Sequence, residues 1–341
     1  VEGVDSRARL LRLVKAERLV LLSVRSEQAP PRLDVVVAES EQGARLAARQ
    51  LSVDSQEVAV GQVVELIDHC RRHYAKGINA VVGVAPLTPD NLEHDYDYLS
   101  TTYRDLLEGE ISLLPGVAVI EMDEARAIAR EIAIGGGDVR GRITPILIDG
   151  HYEVVDRGRR VAFDVKATQG RTELVSVKAD VARSEVPSFF REQVSSQALN
   201  IPAGAQRVSV DEQFDWLVTQ AEAFSRLALP KRAVGLREAA LLLKPNDAKE
   251  RLSLLADYRQ VFGRRDPLPP NLTADEQSRA FDELVARHVA AYVTSVHHVE
   301  HLIMNRLIDR EIAADLIAQH AAKRLSSAFS YKYTGGSNGE P

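Results

Sequence analysis

The sequence AVVGVAPLTP, residues 80–89, opens the stretch that decides the fold of this chain. It is followed by segments with apolar residues at helical spacing, by another short apolar run, and then by three segments in which apolar and polar residues alternate. The first four predicted elements are a strand, a helix, a strand and a helix, at 81–85, 94–114, 117–122 and 123–134. With the three alternating strands, residues 61–185 form a predicted complete α/β module with a mixed sheet.

The amino-acid composition and the net charge exclude some classes of function. The chain has 341 residues, of which 45% are hydrophobic and 27% charged, with a net charge of −6. Such a balance predicts folded domains without a basic surface for nucleic acid. The single cysteine, Cys70, excludes an internal disulfide and a cysteine-based zinc site. No apolar run reaches the roughly 20 residues of a membrane-spanning helix.

An internal repeat is the most informative feature outside this module. Residues 6–16 predict a helix, and three strands are predicted to follow, the first of them buried, at 18–25, 33–38 and 44–51. The same order recurs from residue 123 to residue 181. The two Gln-Gly turns, at Gly43 and Gly170, lie 127 positions apart (170 − 43). We interpret residues 1–60 as the back half of a first copy of the module; the alternative is a small, unrelated β-domain.

The pattern becomes helical after the module. We predict a linker at 186–205, an all-α helical-hairpin domain at 206–330 and a flexible tail at 331–341. Helix starts are marked by pairs that fit capping boxes, Ser209 with Glu212, Asp247 with Glu250, and Thr273 with Glu276. Residues 216–262 have the pattern of tetratricopeptide-type hairpins, although any amphipathic helical bundle has a similar one.

One histidine cluster is a candidate metal site. His297 and His301 are one helical turn apart on one face, and His298 is three residues from His301. Neutral imidazoles at such spacing are able to share a divalent metal. The order differs from His-Glu-x-x-His, and the alternative is a polar helix face on which several histidines fall. Gly135 and the two glycines after it follow a helix instead of preceding one, so they predict a helix end and no bound cofactor.

A family resemblance comes from the motifs of the central module. They are VGVAPL at 82–87, YLS at 98–100, LL at 106–107, PGVAVIE at 115–121, ARE at 129–131 and ILIDGHY at 146–152. In this order they resemble the domain of CsgG-like curli-assembly lipoproteins, and they are similar to FlgO-like and TolB amino-terminal domains. The resemblance covers residues 80–181 and, in part, residues 6–53.

This resemblance implies a non-enzymatic scaffold of the cell envelope or periplasm that acts through protein partners or self-association, although a cytoplasmic location stays open. We expect no nucleic-acid partner and no membrane-spanning segment. Two alternatives remain: a metal-dependent enzyme that uses His297, His298 and His301, and a sensor that binds a small ligand in a cleft between the two α/β modules.

Overall fold

The chain forms two compact units, Val1–Leu243 and Lys244–Pro341. They are seen in a computed structural model, and each unit is treated by itself below. The structure describes residues 16–25, 32–39, 45–53, 55–91, 94–135, 143–202, 207–262 and 273–319. The predicted helix at 6–16, apart from its last residue, the Gln-Gly turn at Gly43 and the tail at 331–341 lie outside these residues.

The first unit begins with an antiparallel sheet of three strands in sequential order. The strands are β1 (Arg18–Arg25), β2 (Arg32–Glu39) and β3 (Arg45–Ser52), and helix α1 (Gln56–His73) follows. The Ser55 hydroxyl accepts a 3.2 Å hydrogen bond from the Val58 amide and so caps the start of α1. Val35, Val37, Leu66 and Cys70 form the core between sheet and helix. The three predicted strands are confirmed.

The second sheet is mixed, as predicted. Its strands are β4 (Ala80–Val84), β5 (Thr88–Pro89), β6 (Val117–Ile120), β7 (Ile146–Val155), β8 (Arg160–Gln169) and β9 (Thr172–Ala182). The strand order is β6-β4-β7-β8-β9, and β5 pairs with β7. Strand β4 is parallel to β6 and β7, whereas β7, β8 and β9 are antiparallel.

Helices cover both faces of the parallel part, and this explains its continuous apolar sequence. Helix α2 (Tyr98–Ser112) packs with Val82 and Val84 of β4. Helix α3 (Met122–Gly135) packs its Ala125 against the other face, where Val81 lies. After β9 the chain forms α4 (Val186–Phe189), a π-helix (Phe190–Ser195) and α5 (Ser196–Ala198).

The two antiparallel meanders, β1-β2-β3 and β7-β8-β9, share more than strand order. Each has a register irregularity in its second hairpin, between Val37 and Ala38 in one and between Ala167 and Thr168 in the other. A helical segment follows each meander. The core-facing side chains also match, Leu33, Val35 and Val37 in β2 with Phe163, Val165 and Ala167 in β8. They lie 130 positions apart (163 − 33), three more than the Gln-Gly turns.

The boundaries of the compact units differ from the predicted domains. The predicted linker at 186–205 contains α4, the π-helix and α5, with Phe190 buried in the core. Helices α6 (Val210–Arg226) and α7 (Pro230–Leu243) belong to the first unit, because Leu217 and Leu236 pack into the same core as α2. The first unit therefore continues past the boundary predicted at about residue 205, because α6 packs on α2 at Gly109 and α7 packs on it at Asp105.

The second unit is helical, as predicted, with α8 (Ala248–Phe262), α9 (Ala274–Met304) and α10 (residues 310–319). Thr273 and Glu276 form the predicted capping box at the start of α9. Leu255, Leu302 and Leu316 lie in its core. The predicted tetratricopeptide-like segment at 216–262 is divided between the two units. No helix in the described ranges has both the length and the apolar character needed to cross a bilayer.

A substitution at Gly150 tests the strand register of the second sheet. A Cβ atom there would lie 2.3 Å from the carbonyl oxygen of Asp164, which is backbone of the neighbouring strand. We expect Gly150→Ala to lower the free energy of unfolding by about 2–3 kcal/mol. Gly61→Ala, at a helix position with no atom within 4 Å of the added Cβ, is expected to raise it by about 0.5–1 kcal/mol. Urea unfolding followed by the fluorescence of Trp216 measures both; equal stability of the two variants would contradict this register.

Candidate functional site

Among the described residues, no strand pairs with the outer edge of β1, in contrast to the outer edge of β7, the first strand of the second meander. Val24 lies opposite Leu33, as Tyr152 of β7 lies opposite Phe163. Tyr152 is 1% exposed, because α2 covers it and Pro89 of β5 pairs with it, whereas Val24 is 65% exposed. Its neighbour on the same face, Leu22, is 57% exposed. The prediction that β1 is a buried strand is wrong at these two positions.

This edge has the properties of a surface that accepts another strand. Among the described residues only β2 pairs with β1, so the outer backbone groups of β1 have no strand partner there. Helix α1 packs on β2 and β3, and Val20 of β1 packs against the same core, whereas Leu22 and Val24 are exposed. A partner strand would satisfy the backbone groups, and a partner helix would cover Leu22 and Val24.

A cavity of about 370 Å³ lies elsewhere in the first unit. Its walls come from the first meander, from α1, from the ends of β4 and β6, and from α2, α6 and α7. The Tyr74 hydroxyl lies at its edge and is placed to donate to the carbonyl oxygens of Leu46 and Val117, at 3.5 Å and 3.3 Å. The cavity therefore lies between the first meander and the carboxyl ends of two parallel strands, where open α/β sheets commonly bind ligands.

Two of the four arginines that line the cavity are paired with carboxylates. The guanidinium of Arg104 donates to Asp105, at 2.9 Å from Nε, and lies 3.9 Å from Glu108. The guanidinium of Arg45 lies 3.1 Å from Glu124 and 3.7 Å from Glu121. The Arg45 pairs connect β3 to the start of α3, and the Arg104 pairs lie along α2.

The other two arginines, Arg49 and Arg232, have no ion pair within the part of the chain that the structure describes. Arg49 comes from β3 and Arg232 from α7. The Arg232 guanidinium lies over the ring of Phe224, 5.3 Å from its centre. A cation over an aromatic face is attracted by the ring, so this contact favours one position of the guanidinium.

Burial changes the titration of the carboxylates on α2. It raises the pKa of Glu108 to about 7, against the opposing effect of the Arg104 charge. Burial also raises the pKa of Asp105, although Arg104 and Arg232 act in the other direction. The pKa of His69 is lowered, first by burial and then by His73 and nearby arginines, so its ring favours the neutral form. Near neutral pH Glu108 is therefore partly protonated, which lowers the negative charge that faces the four arginines.

The sequence did not identify this cavity. Its charged residues come from segments far apart in the chain, and none belongs to a known binding motif. The one local signal is Glu121, which directly follows a strand with a parallel neighbour, where side chains of a site often lie. The arginines of α2 and α7 resemble ordinary surface residues in sequence.

The three histidines predicted as metal ligands have separate environments in the second unit. His297 is exposed, whereas His298 is buried and its Nδ1 accepts a hydrogen bond from Arg251. His301 Nε2 lies 3.2 Å from the side-chain oxygen of Asn246. Within the described ranges, no three His, Cys, Asp or Glu residues are grouped so that they would hold a metal. His298 instead takes part in a buried polar contact between α8 and α9.

Comparisons with known proteins add no identity. No family model, curated protein or solved structure matches this chain. Its function must therefore be inferred from its own residues and geometry.

Substitutions at His298 and His297 distinguish a structural role of these histidines from metal binding. We expect His298→Ala to destabilise the second unit by about 1–3 kcal/mol, because it removes an acceptor from the buried Arg251 guanidinium. His297→Ala, at an exposed neighbouring position, is expected to change stability by less than about 0.5 kcal/mol. Hydrogen exchange of the α8 and α9 amides measures both effects.

Elemental analysis of protein purified without an affinity tag completes this test. Stoichiometric metal that is lost in both histidine variants would contradict the structural role and restore the metal-site interpretation.

Proposed function

We propose that this protein is a non-enzymatic scaffold of the cell envelope that assembles through protein contacts at the open edge of β1. The observation that carries this proposal is the difference between two equivalent positions, Val24 exposed on β1 and Tyr152 buried on β7. The second meander has a parallel strand and a helix at this place, and the first has neither among the described residues.

The tandem arrangement supports the proposal. The shared strand order, the matching register irregularities and the helical segment after each meander are the features expected of two copies of one module. On this interpretation β1 corresponds to β7. The described residues of the first module contain no counterpart of β4 and α2, and this leaves the outer edge of β1 for a partner.

The proposed partner is a second copy of the chain. The resemblance to curli-assembly lipoproteins implies contacts between subunits, and it also supplies the envelope location. Strand addition suits such contacts, because main-chain hydrogen bonds give affinity while the side chains on alternate positions set the register. Burial of a large apolar side chain contributes about 1.5–3 kcal/mol, so Leu22 and Val24 together would make the contact specific to this edge.

No second function is proposed. The metal-dependent enzyme rested on the three histidines, and His298 uses its Nδ1 to accept from Arg251. The scaffold proposal instead rests on the outer edge of β1, where the exposed Val24 corresponds to the buried Tyr152 of β7.

Sedimentation velocity over a range of protein concentrations tests the assembly. We expect the mass of the wild-type protein to rise with concentration, and the double variant Leu22→Lys, Val24→Lys to remain a monomer, because charges on the edge face prevent strand addition. Both side chains are exposed, so the substitutions leave the core unchanged. Ile134→Lys is the matched control, since Ile134 is an apolar residue that is 85% exposed on another element, α3.

Hydrogen exchange locates the contact. The amides of β1 should become protected as the wild-type protein associates. A wild-type protein that stays monomeric at every concentration, or an association that Ile134→Lys disrupts as strongly as the double variant, would refute the proposed contact.

A further inference from the structure

We propose that the cavity in the first unit binds a small organic anion in which a phosphate or carboxylate group is attached to an apolar ring. The inference depends on Arg49, Arg232 and the aromatic side chains of α6, all of which line the cavity. It does not depend on assembly at β1, because neither Leu22 nor Val24 lines this cavity.

The charged residues that line the cavity determine the sign of the ligand's charge. Arg104 and Arg45 are neutralised by carboxylates at 2.9 Å and 3.1 Å. Arg49 and Arg232 make no such pair with any described residue, although Arg232 influences Asp105 and Glu108 at longer range. A single unpaired arginine is common on protein surfaces; here two, from β3 and α7, line one cavity. An anion would satisfy both.

Guanidinium groups determine the kind of anion. Each presents parallel N–H donors that match the spacing of two oxygens of a carboxylate or phosphate. Arg232 lines the cavity and lies over the ring of Phe224, a contact that uses no N–H donor in a hydrogen bond, so an oxyanion in the cavity would be a hydrogen-bond acceptor for it. Oxyanions of this class fit the two arginines better than a halide, which offers one acceptor atom.

The remaining wall favours an apolar body on the ligand. Trp216 and Phe224 of α6 line the cavity, together with Leu236 of α7. The volume of about 370 Å³ lies at the lower end of the range found for small-molecule sites, roughly 300–1,000 Å³. A single ring with one charged group is therefore a suitable size, whereas a dinucleotide is too large.

Glu108 makes binding sensitive to pH. The charged groups that act on it are Arg104 and Asp105 on α2, Arg232 on α7 and Glu121 after β6. Protonation of Glu108 as the pH falls through about 7 removes a negative charge from the cavity, and anion affinity should rise. Protonation of His69 acts in the same direction at lower pH, since its pKa is lowered.

Isothermal titration calorimetry of the full chain at low salt tests the site with phenyl phosphate, benzoate, inorganic phosphate and benzylamine. We expect saturable binding at one site for the two aromatic anions, weaker binding of inorganic phosphate and none of benzylamine. Tighter binding of phenyl phosphate than of benzoate would identify phosphate as the preferred oxyanion, and the reverse order would identify carboxylate. Absence of saturable binding of both aromatic anions would overturn the proposal.

Charge variants test the residues. Arg49→Gln and Arg232→Gln should each lower the affinity for the preferred anion about tenfold, because each removes a charge-assisted hydrogen bond. Arg160→Gln is the matched control, since Arg160 pairs with Asp180 on β8 and β9 and does not line the cavity. Equal losses in all three variants, or no loss in the first two, would overturn the assignment. Unchanged thermal unfolding of each variant shows that the fold is retained.

A sulfonate probe tests the position of the anion beside Glu108. Benzenesulfonate keeps its charge over this range, so any pH dependence of its affinity comes from the protein. The wild-type protein should bind it several-fold more tightly at about pH 6 than at about pH 8, and Glu108→Gln should reduce this difference. An unchanged pH dependence in Glu108→Gln would place the anion elsewhere and overturn the proposed site.

Discussion

The packing of α2 between a sheet and a pair of helices is the contact on which the first unit depends. One side of α2 places Tyr103 against Tyr152, Phe163 and Phe190, with ring centres 5.1–5.8 Å apart. On the other side α6 approaches closely, because a Cβ atom at Gly109 would lie 3.2 Å from Leu217. A polar side chain buried on such a helix costs stability unless it has a partner. Glu110 is buried, and it accepts a hydrogen bond from Ser195 at 3.2 Å.

The same helix connects the fold to both proposed activities. In the second meander α2 and β4 cover β7, and the lack of a described equivalent leaves β1 open. The end of α2 that carries Arg104 and Glu108 lines the cavity. The first proposal therefore depends on α2 and β4, which cover β7 and have no counterpart beside β1 among the described residues. The second proposal depends on the charged side chains of Arg104 and Glu108. They lie where α2 meets the first meander and the helices α6 and α7.

Assembly and ligand binding are compatible, because they use different surfaces of one unit. The β1 edge offers backbone groups and apolar side chains, which suit a protein partner. The cavity offers guanidinium groups and aromatic rings, which suit a small anion. Arg45 and Arg49 both lie on β3, two strands from the open edge. A ligand held by Arg49 would therefore contact the same small sheet that a partner strand extends.

The sequence by itself determined the local elements, because strands and helix starts depend on neighbouring residues. Alternation of apolar residues indicated β8 and β9, and the Thr273 and Glu276 pair marked the start of α9. The sequence also predicted the order of the strands in each meander. Only the tertiary structure decided that α6 and α7 belong with the α/β unit, that Leu22 and Val24 are exposed, and that four arginines line one cavity. These features depend on contacts between segments far apart in the chain, and hydrophobic periodicity shows which face of a helix is buried without showing which element buries it.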